Sequence, residues 1–515
     1  MQHTPARRLL AGLAVAGAVI GMGSAPAFAA PKAADIAFYL SDVTVPIAES
    51  GAVFGPVFWA TEQVSVEEPT ITYELSDGLT GVRLAGGEGV GECESKSPTE
   101  LVCSDWMPLE VGPDGVGGYF DAVLIADETA EPGATGTVTA TFSGTDVDPI
   151  TSEFTVRVAE AVDLTAGPPS SASASPGETF DTDYQVLNSG DKPVTGVAAL
   201  FFNDWAFEPG EQYSNCLYED GELLACIFDD TLEVGSVYET TLSYRLRADT
   251  QAPGHEFGEI KWLTPAELED FYGYLDQYDI QLGAQGAGEK LSLTETSAKK
   301  AKLAPQADKN PDDNWSYVDV DVTGKNGVDL AAVGSTVTGK AGEDVTVTAG
   351  VRNVGKATLD LSRAGFPAAV TEVHAPAGTS FIAGPEVCSE REGHPYIYEC
   401  YTDYIFKAGQ EETYEFVLHI DSVVPNAKGV VAVNEPCECE RFLGDINKAN
   451  NKAAILVNKT AGNGGGTGGG DGDDDPTLPV TGPAGASLAI GGVVLLGLGA
   501  AAVFFTPRRR PAFKG

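Results

Sequence analysis

Apolar and polar residues alternate along much of this chain. In 137–142, Val138, Ala140 and Phe142 alternate with Thr137, Thr139 and Thr141, and in 345–351 the apolar set is Val345, Val347, Ala349 and Val351. A period of two places every second side chain on one face, so these runs predict strands with one buried side. Gly, Pro, Asn and Asp break the runs at short intervals and predict turns. Many short strands of this kind predict an all-β chain of sandwich domains. One segment departs from the period. Thr264-Pro265-Ala266-Glu267 has capping-box spacing with Pro at the first helical position, and Leu268, Phe271, Tyr272 and Leu275 share a helical face. A short amphipathic helix is predicted to run to about Asp276.

The pattern also repeats. Cys93 and Cys103, Cys216 and Cys226, and Cys388 and Cys400 are three pairs at nearly equal spacing. Six residues after each second cysteine come Leu109-Glu110-Val111-Gly112, Leu232-Glu233-Val234-Gly235 and Phe406-Lys407-Ala408-Gly409. Ala34-Asp35-Ile36, Val162-Asp163-Leu164 and Val328-Asp329-Leu330 open the three copies. Copies two and three align without a gap from Gly177-Glu178 through Val186, Asn188 and Gly190 onto Gly342-Glu343 through Val351, Asn353 and Gly355. Ordered self-similarity of this length predicts three copies of one domain. Each copy should close on a last strand, at 153–158, 315–322 and 453–457.

With its Val-x-Asn-x-Gly turn and the Asn447-Lys448-Ala449-Asn450-Asn451 run before 453–457, the repeat resembles bacterial cell-adhesion-related immunoglobulin-like domains. The resemblance implies three tandem immunoglobulin-like sandwiches, at 30–160, 161–324 and 325–460. The second holds an insert at 263–314, whose polar part from Gly283 to Asp313 is expected to be mobile. Long loops on a rigid sandwich are where binding usually resides, whereas an insert can also serve only to cover a sheet edge. On the first reading, replacing 263–314 by a short Gly-Ser link should spare the fold and remove binding.

Both ends read as processing signals. Arg7 and Arg8 precede an uncharged apolar stretch, and Ala27-Phe28-Ala29 fits the small-x-small rule, which predicts a signal peptide at 1–29 cut between Ala29 and Ala30. At the other end, Leu478-Pro479-Val480-Thr481-Gly482 is followed by an apolar stretch long enough to cross a bilayer as a helix. Arg508, Arg509, Arg510 and Lys514 come last. A Gly/Asp-rich linker at 461–477 precedes this 478–515 segment. The ordered triplet resembles the LPxTG sorting signal of Gram-positive, here actinobacterial, surface proteins. That resemblance implies a transient partner, sortase, which cleaves after Thr481 and links Thr481 covalently to peptidoglycan. The chain would then be a membrane-tethered precursor, secreted and fixed to the cell wall.

The full chain carries 31 Lys and Arg against 75 Asp and Glu, a formal charge of −44. Removing both signals takes six cations and no acid, leaving 25 against 75 and a charge of −50. Such a surface argues against nucleic acid as a partner. Candidate chemistry is sparse. His255, His374, His394 and His419 are scattered and show no HExxH or nucleophile–base spacing, and the Gly-rich runs lack a phosphate-loop lysine. Asp473, Asp474 and Asp475 sit in the Gly-rich linker and read as a solvated run. No catalytic residue, metal site or cofactor is assigned.

Copies of one fold should pair their cysteines alike, which gives Cys93–Cys103, Cys216–Cys226 and Cys388–Cys400, with Cys437–Cys439 as the remaining pair. A Cys437–Cys439 link closes a very small ring and is expected to reduce first. The sequence therefore reads as a non-enzymatic, wall-anchored protein for adhesion or surface display through an unidentified extracellular ligand. A structural spacer or coat protein is the alternative, and an anchored hydrolase a further one.

Overall fold

We describe a computed structural model of the protein over residues 36–459, apart from 114, 146, 277–281, 296–304, 386, 392 and 435–443. Both predicted processing signals, the C-terminal apolar segment, Cys437 and Cys439 lie outside the described residues. Among those described, no helix is long and apolar enough to cross a membrane.

The chain is mostly β, and the alternation predicted from sequence is the reason. Strand Thr135–Thr145 turns Val138, Ala140 and Phe142 inward at 0% exposure, while Thr141 meets Thr151 across the strand pair on the outer side. Thr179–Asn188 buries Phe180, Thr182, Tyr184, Val186 and Asn188 in the same way, and Glu411–Ile420 buries Tyr414, Phe416, Leu418 and Ile420. Burying an aliphatic or aromatic side chain stabilises by about 1.5–3 kcal/mol, so one inward row of four largely fixes the face and register of its strand.

The strands group into three successive stretches, each with opposed sheets around its own apolar cluster. Residues 36–158 supply one cluster, 162–322 a second with a smaller one beside it at 198–282, and 328–457 the others. In the second stretch a four-strand path (Leu164–Ala166, Thr179–Asn188, Val237–Leu246, Phe207–Pro209) faces a seven-strand sheet. That sheet runs Ser170–Ala174, Trp315–Asn326, Ala252–Leu263, Val194–Asn203, Glu222–Leu232, Cys216–Glu219, Ala284–Gln285. The third stretch repeats the plan with four and six strands. The closing strands are longer than the sequence pattern predicts. They span Val147–Val162, Trp315–Asn326 and Lys452–Val457, because ladder bonds continue past the alternating apolar run.

The repeat signature has a physical role. Asn188 is fully buried, and its Nδ2 donates to the carbonyls of Lys192 and Leu232, both at 2.8 Å, while its Oδ1 accepts from Gly190 N at 3.1 Å. Asn353 repeats this with Ala357 (2.8 Å), Phe406 (3.3 Å) and Gly355 N (3.1 Å). The asparagine thus ties the Val-x-Asn-x-Gly turn to the residue six places after the second cysteine. Gly355 is required there, since a Cβ would lie 2.5 Å from both Asp329 N and Gly327 O.

The paired cysteines face each other across neighbouring strands. Cys93–Cys103, Cys216–Cys226 and Cys388–Cys400 are disulfide-bonded, with Cα–Cα distances of 4.0, 4.0 and 4.1 Å.

Candidate functional site

The 263–314 insert is held on both sides. Thr264 caps the helix Pro265–Asp276 as its spacing predicts. Thr264 N and Oγ1 donate to Glu267 Oε2 at 2.8 and 2.9 Å, and Leu268 N reaches Thr264 O at 3.1 Å. Leu268 and Leu275 are buried against Ala198, Leu200 and Leu263 on the outer face of the seven-strand sheet, with Phe271 and Tyr272 partly buried beside them. The other side of the helix meets the first stretch. Asp270 Oδ2 accepts from Thr44 N at 2.5 Å, and Arg157 lies 3.4 Å from Glu269 and 3.7 Å from Asp270.

Beyond the helix the chain returns to the boundary between the first and second stretches. Gln306–Asp308 pairs in parallel with 160–162, the end of the closing strand of the first stretch. Asp308, 2% exposed, accepts from Leu164 N at 2.6 Å and from Asn310 N at 2.7 Å, while its own N–H donates to Glu267 Oε1 at 2.9 Å. Burial raises the carboxyls of Glu267 and Asp308 above the usual carboxylate range, and these donated hydrogen bonds oppose the shift. Ser50 also donates to Lys309 O at 2.6 Å. The insert is a strap across this junction.

Its polar middle, expected to be mobile, packs against both sheets over 282–295. Ala284–Gln285 pairs with Leu217 and Tyr218, and Thr294–Glu295 with Glu239 and Tyr238 in the opposite sheet. Between them Leu291 and Leu293 enter the core at 6% and 8% exposure, and Asn215 holds the backbone of Leu291 through Oδ1 (2.7 Å) and Nδ2 (3.1 Å). The expectation of mobility rests on polar composition. Two leucines two places apart, enough to plug an open side between sheets, are what that inference missed. Removing 263–314 therefore strips core residues and both edge pairings, so the fold would not survive it intact.

The second junction is a clamp around a cleft. Arg363 Nε contacts Asp204 Oδ1 at 2.7 Å, its other nitrogens reach Glu259 and the carbonyls of Phe202 and Phe257, and its guanidinium lies 4.7 Å from the Phe257 ring centre. Thr358 bonds Asp249 through backbone (2.7 Å) and side chain (2.6 Å), and Asn326 Nδ2 donates to Thr250 O at 2.8 Å. The cleft, about 310 Å³, is lined by Trp205, Pro253, Glu256, Asp360 and Leu361 among others. Burial, with the fields of Asp204 and Asp360 added, pushes the Glu256 carboxyl up to about 8. Burial also raises Asp204, and Arg363 opposes it. Asp204 is tied to Arg363 and to Phe257 N (2.5 Å), and Asp360 to Ser362 N (2.9 Å) and Oγ (2.6 Å). The carboxylates beside Glu256 are thus engaged in holding backbone and side chains together. Sequence reasoning had no signal for this cleft, since its residues come from three separated runs.

The histidines remain apart, with His255 next to Asp321 (3.2 Å), His374 next to Glu372 (3.1 Å) and His419 next to Asp344 (2.7 Å). Among the described residues no group of three or more His, Cys, Asp or Glu is arranged to hold a metal.

No family model matches the chain, and no curated protein matches it. Solved structures that resemble it include the immunoglobulin domains of Dpr2 in complex with DIP-Theta, at 9% identity over 82% of this chain and 98% of that one, TM-score 0.20. A protein from Corynebacterium diphtheriae, described as membrane anchored, matches at 13% identity over 83% and 89%, TM-score 0.14. The I9–I11 tandem of titin matches at 7% over 82% and 98%, also with TM-score 0.14. Superpositions this loose carry no argument about function.

Proposed function

We propose that the chain is a secreted, wall-anchored surface protein of a Gram-positive bacterium, built of three tandem immunoglobulin-like domains that act in adhesion or display. The observation that carries the reading is the ordered C-terminal triplet, Leu478-Pro479-Val480-Thr481-Gly482, then an apolar span, then four cations. Pro479 keeps the motif extended, as a peptide entering an enzyme cleft must be. Sortase is the transient partner and peptidoglycan the covalent one, with Thr481 as the wall-linked residue. Three disulfides support an oxidising, extracellular setting.

A spacer role is favoured by a separate observation. The insert's aromatic residues Phe271, Tyr272 and Tyr274 pack against the sheet rather than standing out for a ligand. Its remaining contacts stiffen the first junction. On this account the first two domains carry and hold, and any recognition falls to surfaces elsewhere. Thr481→Ala should leave secretion intact and abolish covalent wall attachment. If the variant still resists boiling detergent and is freed only by a wall-degrading enzyme, the anchoring assignment fails.

A further inference from the structure

One short loop, at the end of the first stretch away from the 160–162 junction, breaks the rule that apolar side chains face inward. The hairpin joining Thr135–Thr145 to Val147–Val162 turns at this end, with Thr145 opposite Glu67 and Thr70 opposite Ser104. From Glu100–Ser104 the chain reaches Leu109–Val111 through Asp105, Trp106, Met107 and Pro108. Trp106 is 84% exposed, more than any other large apolar side chain among the described residues, and Met107 beside it is 45% exposed. The loop is nevertheless held. Cys103 and Leu109 on either side are fully buried, Asp105 N donates to Pro69 O at 3.1 Å, and Asp105 Oδ1 accepts from Met107 N at 3.0 Å. An indole presented on so fixed a backbone has little freedom left to lose on binding.

The other two copies show that the fold does not need this side chain. Three residues after the second cysteine stand Trp106, Asp229 and Asp403. Asp229 pairs with Lys290 at 2.8 Å, and the Asp403 carbonyl accepts from Ala368 N at 2.9 Å. A polar residue serves in both, and a tryptophan left in water adds nothing to the core. At contacts between proteins, by contrast, tryptophan is among the side chains that contribute most.

Charge narrows the partner. Runs 62–70 and 104–111, which meet at this end, carry Glu62, Glu67, Glu68, Asp105 and Glu110 and no Lys, Arg or His. All five but Asp105 are exposed. Such a surface repels an anionic membrane, and a formal charge of −44 per chain disfavours a second copy. An Arg or Lys suits it, since the cation can lie over the indole face among carboxylates while an adjoining apolar side chain packs on Met107. We propose that the 105–108 loop is a docking tip for a basic, partly apolar segment of another protein, with Trp106 as the anchor. The inference does not depend on how the chain is anchored.

The probe is a fluorescein-labelled peptide alternating three arginines with two leucines, titrated into the full secreted protein, with hydrogen exchange read on the complex. The expected result is saturable binding at or below about 1 mM, weaker as salt rises, with exchange slowed over 104–111. Trp106→Ser should weaken binding by about tenfold or more, and Trp106→Phe should retain most of it. Both should keep the wild-type unfolding temperature, because the side chain lies outside the core. Val423→Ser, also exposed but in the third stretch, should leave binding unchanged. No saturable binding, or equal binding by Trp106→Ser as in general attraction of cations to an acidic chain, would overturn the proposal. So would equal binding of a peptide with glutamate for arginine, or Trp106-dependent binding to phosphatidylcholine vesicles in place of the peptide.

Discussion

The three disulfides are chemically alike but differently placed. Cys103, Cys226 and Cys400 are all fully buried, whereas of the edge cysteines only Cys216 is, because the insert lies over it. Thiol attack needs access to sulfur, so Cys93–Cys103 and Cys388–Cys400 should open well before Cys216–Cys226 in mild reductant. Timed alkylation with peptide mapping reads the order, and early loss of Cys216–Cys226 would contradict it. Each bridge closes a short loop and should contribute roughly 2–3 kcal/mol. Glu256 makes a second prediction. Its folded carboxyl, raised to about 8, binds a proton that the unfolded chain releases near its ordinary 4.5. Stability from this group is therefore lost as pH rises from about 4.5 through 8. Glu256→Gln should flatten the fall in thermal stability over that window. An unchanged slope would show that the cleft does not bury this charge.

At the scale of elements, much was legible in the sequence. Alternating runs such as Val138, Ala140 and Phe142 carry their burial with them, and the Thr264–Glu267 cap announces its helix. The equal cysteine spacing identifies strand neighbours because cross-strand pairs in copies of one fold recur. What the sequence did not show was partnership. Leu291 and Leu293 lie in polar surroundings, and nothing local says that a gap between two sheets awaits them. Likewise Gln306–Asp308 is too short to read as a strand, and it forms only because 160–162 offers a free edge. These residues give a direct test. Leu291→Ala or Leu293→Ala should each destabilise the second stretch by about 2–4 kcal/mol. If replacing 283–295 with a Gly-Ser link leaves the unfolding temperature unchanged, the segment is not a plug.

For the whole molecule, the account turns on how the three stretches are joined. Tandem domains move relative to one another unless their interface is extensive, and here both junctions carry specific ties. The first has the parallel pairing at Gln306–Asp308 and the Arg157 contacts, and the second has Arg363 and Thr358. An excess of acidic residues adds repulsion between neighbouring molecules. Small-angle X-ray scattering of the secreted protein, alone and with Arg363→Ala and Asp308→Ala together, tests the joining most directly. The account predicts that one fixed arrangement fits the wild-type profile and that the double variant needs a spread of arrangements. A wild-type profile that already requires a broad ensemble, unchanged by the two substitutions, would contradict it.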